Sequence, residues 1–95
     1  MNKESVTKKW NKLLNMEIPE IGDNDKFFNL TETNTYSAGC ITSYLEGKLD
    51  QECITIIKLA IINLKNILPN IDKEEKAYYE LLVEILKDIK RQKGF

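Results

Sequence analysis

The sequence predicts an all-α fold, a compact bundle of about four helices in one domain over residues 1–95, with one irregular acidic segment near residues 17–34. Three observations point to it. Apolar residues recur at three- and four-residue spacing in separate stretches. Turn and capping residues stand between those stretches, and nowhere do apolar and polar residues alternate between hairpin turns as strands require. A chain of 95 residues suits one small domain or one half of an obligate dimer, and is too short for a doubly wound nucleotide-binding sheet with a substrate domain.

The first helix is expected over about residues 5–15, with Val6, Trp10, Leu13 and Leu14 on one side and Lys8, Lys9 and Lys12 on the other. Pro19, Gly22, the Asp23-Asn24-Asp25 cluster and a Thr/Asn-rich run then carry turn and capping chemistry. A loop with one helical turn, anchored by Phe27 and Phe28, is expected there. Thr33 or Thr35 caps the next helix, whose apolar side is Tyr36, Cys40, Ile41, Tyr44 and Leu45 and which Gly47 closes in the left-handed conformation. Gly39 inside this helix costs about 1 kcal/mol relative to alanine, so another backbone is expected to cross close to Ala38-Gly39-Cys40.

Asp50 reads as the following N-cap, with Leu49 and Ile54 as a hydrophobic staple, and that helix runs to about Leu68 before Pro69. It is apolar nearly all round, which places it at the centre of the domain. Leu59 and Ile62 fall outside its main apolar arc. Either the first helix or the Phe27-Phe28 loop covers them, or they form a partner or homodimer surface. The last helix opens with Asp72 and Glu75 as a capping box and ends in Lys87, Lys90, Arg91 and Lys93. Its stripe of Ala77, Tyr78, Leu81, Leu82, Ile85, Leu86 and Ile89 is expected to pack antiparallel on the preceding helix across Pro69-Asn70-Ile71.

Catalytic and metal chemistry find little support. The chain has no histidine, which removes the usual general base and the commonest metal ligand. Cys40 and Cys53 form no C-x-x-C pair, and Asp23-Asn24-Asp25 opens like a calcium loop but has Phe28 and Asn34 where glycine and glutamate belong. The four glycines form no phosphate-binding loop. No enzyme, metal or cofactor is expected. The first residues lack the apolar run of a secretory signal, and residues 53–68 carry Lys58 and Lys65 and fall short of the ~20 residues a bilayer span needs. A cytoplasmic protein with reduced thiols and no membrane contact is expected. A helix-turn-helix reading around Gly47 fails because the would-be recognition helix is mostly apolar, so no direct nucleic-acid binding is expected.

The formal charge of −1 conceals a polarised chain. Residues 1–16 carry net +3, residues 17–52 net −6 and residues 53–95 net +2. An acidic middle with aromatic members suits a face that attracts a basic partner and anchors it through rings. The same acids also suit helix caps in a solvated loop.

The run Tyr36-Ser37-Ala38-Gly39-Cys40-Ile41, followed by Ser43-Tyr44-Leu45-Glu46-Gly47-Lys48-Leu49-Asp50, resembles small helical immunity proteins of bacterial contact-dependent growth-inhibition and polymorphic toxin systems. The resemblance continues through a long apolar helix, the Leu68-Pro69 turn and the Tyr78-Tyr79 pair, and covers residues 36–86. It implies a protein that binds a cognate toxin, a nuclease with a basic active-site groove, and neutralises it by covering that groove. The contacts then expected are Glu17, Glu20, Asp23, Asp25 and Glu32, with Phe27 and Tyr36 as aromatic anchors. The alternative is a helical homo-oligomeric or regulatory module joined through Leu59 and Ile62.

Overall fold

Capping and turn chemistry divide the described residues into four α-helices. The computed structural model describes the backbone of residues 2–17, 24–71 and 73–95, and the side chains of these except 2, 24–31, 74 and 75. The helices are α1 (Asn2–Leu14), α2 (Asn24–Leu45), α3 (Gln51–Ile67) and α4 (Lys73–Lys93), with a single 3-10 turn, Leu68–Asn70, before α4. The described residues contain no strand, as the all-α prediction requires. Gly47, at φ +75°, ends α2 in a Schellman arrangement: Lys48 N donates to Ser43 O at 2.8 Å and Gly47 N to Tyr44 O at 3.0 Å. Asp50 is extended and accepts a hydrogen bond from Cys53 N at 2.9 Å, which makes it the N-cap of α3. The expected capping box of Asp72 and Glu75 involves side chains outside the described residues.

The irregular segment expected near residues 17–34 is shorter than that, because helix begins at Asn24. The periodicity that reveals it is carried partly by polar side chains. Thr33, Ser37, Cys40, Ile41 and Tyr44 are all buried and stand at helical spacing, but a search for apolar residues sees only the last three. Ser37 Oγ is buried with no hydrogen-bond partner among the described residues. The close crossing expected at Gly39 is absent as well. Gly39 is exposed, and a methyl group placed on it would meet no atom of the described residues within 4 Å. Tyr36, expected on the apolar side of this helix, is 56% exposed.

The central position belongs to α4 and not, as the apolar sequence of α3 suggests, to α3. α4 packs against α1, α2 and α3, whereas the main packing of α3 among the described elements is against α2, α4 and the 3-10 turn. At 100° per residue, the buried side chains of α4, from Asp88 round through Tyr78, Leu82 and Leu86 to Val83, span roughly 220°, those of α3 only about 100°. α1 runs antiparallel along α4, with Lys9 beside Glu84 and Asp88, and Lys12 and Met16 beside Ala77 and Leu81. It contributes Val6 and Leu13 to the core; Leu14, expected on the same face, is 62% exposed. Tyr78 and Tyr79 meet edge to face at 5.0 Å, and Tyr78 OH donates to Asn34 Oδ1 at 3.2 Å across to α2.

One charge lies inside this packing. Asp88 is 3% exposed and accepts from Lys9 Nζ on α1, from Arg91 one turn later on α4, and from Ser5 Oγ at 3.4 Å. Burial alone would push its carboxyl up; the hydrogen bonds and charges of Lys9 and Arg91 outweigh burial and hold it below the ordinary carboxylate value. The same contact raises the Lys9 ammonium, through its hydrogen bond to Asp88 first and against the opposing effect of burial. A second polar tie joins α2 to α4, where Tyr44 OH donates to Gln92 Oε1.

Two outcomes are expected from these packing facts. A folded-state carboxyl held low stabilises the fold fully above its unfolded value of about 3.9, and that stability disappears as pH falls through the lower folded value. Asp88→Asn should therefore cost about 2 kcal/mol at neutral pH, and thermal melts should show the gap to wild type closing below about pH 4. Gly39→Ala and Ser37→Ala should each raise stability by about 1 kcal/mol, the first by removing a flexible helix residue and the second a buried hydroxyl without a partner. Urea unfolding at unchanged slope would register both as shifted midpoints.

Candidate functional site

The narrow buried arc of α3 leaves its outer face to solvent. α2 and α3 run antiparallel, bringing Cys40 close to Cys53 and Thr33 to the level of Ala60. Between them lies an open groove of about 400 Å³ lined by Thr33, Tyr36, Glu52, Ile56, Leu59 and Asn63. It continues toward the Gly47 turn past Gly39, Ser43, Asp50 and Cys53. Tyr36 and Leu59, 56% and 55% exposed, form its apolar lips above Ile56. The charged groups lining it are the carboxylates of Asp50 and Glu52, with no cation among the described lining residues. Glu32 stands exposed on α2, one turn before Tyr36.

The sequence-predicted contacts are distributed as follows. Glu32 and Tyr36 lie on the exposed surface of α2 at this groove end of the molecule, and Glu17 is exposed just beyond α1. Glu20 and Asp23 lie outside the described residues; Asp25 and Phe27 fall within α2, with side chains outside the description. Asp50 and Glu52 complete the acidic lining; the sequence reading assigns Asp50 to a helix cap and gives Glu52 no role. A usable signal was present: Glu52, Ile56, Leu59 and Asn63 repeat at three- and four-residue spacing along α3 and form one stripe.

The other flank of α3 has the opposite charge. Between α3 and α4 lies a hollow of about 490 Å³ whose apolar floor is Ile61, Ile62 and Phe95 and whose rim carries Lys58, Lys65, Lys87 and Lys90. Lys58 Nζ lies 5.8 Å from the centre of the Phe95 ring. Leu59 and Ile62, each 55% exposed, stand side by side on the ridge that separates the two hollows. α1 packs on α4 and does not cover them.

No group of three or more metal-ligating side chains exists among the described residues. Burial, then the neighbouring Cys53 thiol, pushes the Cys40 thiol up to about 12, and Cys40 is nearly inaccessible, so it is a poor nucleophile. Both cysteines are free. In a maleimide titration of the native protein at neutral pH, Cys53 should react and Cys40 should resist until the fold is opened with denaturant. No helix among the described residues is long and apolar enough to cross a membrane. Comparison of the chain with protein-family models, with curated proteins and with solved structures finds no match.

Proposed function

We propose that this domain is a protein inhibitor that binds a basic protein partner through the α2–α3 groove. The partner implied by the sequence resemblance is a cognate bacterial toxin, a nuclease whose basic substrate groove the domain covers, which makes the chain a cytoplasmic immunity protein. The observation that carries the reading is the composition of the groove: exposed Tyr36 and Leu59 over an apolar floor, edged by the carboxylates of Asp50 and Glu52, with no cation among the described lining residues. Carboxylates at the edge speed encounter with a basic surface, while a desolvated tyrosine and leucine slow its departure. Glu52 makes no ion pair among the described residues, so its charge is available to a partner. Asp50 is engaged through Oδ1 at the α3 N-cap. Glu17, Glu20, Asp23, Asp25 and Glu32 extend the acidic character of the same chain region and widen the field that the partner meets.

The test uses the product of the adjacent reading frame, since an inhibitor of this kind is encoded beside its target. Titration calorimetry should give one-to-one binding. Tyr36→Ala should weaken it about 10- to 100-fold through faster dissociation. Glu52→Lys, and charge reversal of Asp23 and Asp25, should chiefly slow association and flatten its salt dependence. Equal binding by wild type, Tyr36→Ala and Glu52→Lys would remove the groove from the interface. Absence of binding by that product would overturn the inhibitor reading.

A further inference from the structure

The two cysteines of the chain stand together. Cys40, in the last third of α2, and Cys53, in the first turn of α3, meet across the packed α2–α3 pair and line one hollow of about 320 Å³ at the acidic end of the groove. Their thiols are near enough that Cys53 is the second cause, after burial, of the raised Cys40 thiol. Cysteine side chains are short, so helices that bring two of them together need only a small shift to reach the about 5.5 Å between α carbons typical of a disulfide. The pair is also asymmetric. Cys53 is partly exposed to the hollow, whereas Cys40 is 2% exposed. Gly39, whose place in α2 no crossing helix explains, lines the same hollow and adds no side chain to it.

We propose that Cys40 and Cys53 form a reversible disulfide that ties α2 to α3 and narrows the acidic end of the groove. The oxidant is a low-molecular-weight organic disulfide. A cationic one is favoured, because Asp50 and Glu52 edge the hollow and no cation lies among its described lining residues. The Cys53 thiolate attacks one sulfur of the small disulfide, whose S–S bond breaks, and the first small thiolate leaves and takes a proton from water. Cys40 then gives its proton to solvent and attacks the Cys53 sulfur, expelling the second small thiolate. The protein loses two electrons and two protons, and the small disulfide is reduced to two thiols. Cys40 is a poor nucleophile toward outside reagents, but its target is now a sulfur held beside it, so the attack is intramolecular. Burial of Cys40 makes this second step the slow one. The bond closes a short loop around the Gly47 turn and joins helices already packed together. Control of the groove by oxidation rests on the function proposed above; the disulfide itself does not.

Treatment with cystamine, a cationic disulfide, followed by intact-mass measurement tests this on the chain alone. Wild type should first gain one cysteamine, then lose it and finish two hydrogens lighter than the reduced chain. Lys48 lies between the cysteines, so trypsin should release two peptides joined by the Cys40–Cys53 bond. Cys40→Ala should stop at the cysteamine adduct, and Cys53→Ala should react only once denaturant opens the fold. Oxidation should raise the melting midpoint of wild type by about 10 °C, and dithiothreitol should restore it. A cysteamine adduct that persists on wild type, or a covalent dimer through Cys53 in place of the internal bond, would overturn the disulfide. The oxidised form should bind the product of the adjacent reading frame about tenfold more weakly than the reduced form, and equal affinities would overturn control of the groove. Binding by neither form would remove the inhibitor reading and that control with it, while the mass and melting results decide the disulfide without the partner.

Discussion

α4 must be covered on more than half of its circumference, and the placement of every other helix answers that need. Its buried positions run from Asp88 on one edge to Val83 on the other, with Leu82, Leu86 and Ile89 between. One helix cannot shield so wide an arc, so α1, α2 and α3 divide it among themselves. A consequence falls on α3. Packed against α4 and α2 by one narrow stripe, it leaves Leu59 and Ile62 exposed among polar neighbours, although its sequence is the most hydrophobic of the four helices. The proposed binding face is thus the remainder of a packing problem solved around α4.

The Asp88 cluster sits at the margin of the same arc. A carboxylate buried between α1 and α4 is an expensive way to join two helices, and apolar residues of equal volume would often join them as well or better. What the charge adds is selectivity. An α1 displaced along α4 would lose the contact of Lys9 and Ser5 with Asp88 and leave the carboxylate in an apolar surround with Arg91 alone, so one register is favoured over its neighbours.

Helix content, the Asp50 cap, the Gly47 stop and the antiparallel α3–α4 pair were legible because they depend on local chemistry and on apolar spacing. The start of α2 was not, because Thr33 and Ser37 occupy buried positions that the pattern reserves for apolar residues. The centre of the fold was misread for a related reason: hydrophobicity measures what a helix can bury, whereas position depends on what its neighbours leave free. Part of the candidate site was readable in the same way. Glu32 and Tyr36 were singled out from charge and aromaticity, while Asp50 and Glu52 required knowledge of which helix lies opposite. The separation of Leu59 and Ile62 between hollows of opposite sign depends on α4, whose lysines read in the sequence as a simple helix end.

The attachment of α1 has a kinetic meaning. α2, α3 and α4 follow one another in the chain and meet through short connections, whereas Ser5 reaches Asp88 across 83 residues. The three later helices can assemble through local contacts, and α1 must close the longest loop in the molecule for the burial of Val6 and Leu13, the partial burial of Trp10 and one ion cluster. Among the described elements its substantial packing is on α4 alone. α1 is thus the part that can peel away as a unit while the rest stays folded, and in doing so it would return Asp88 to water.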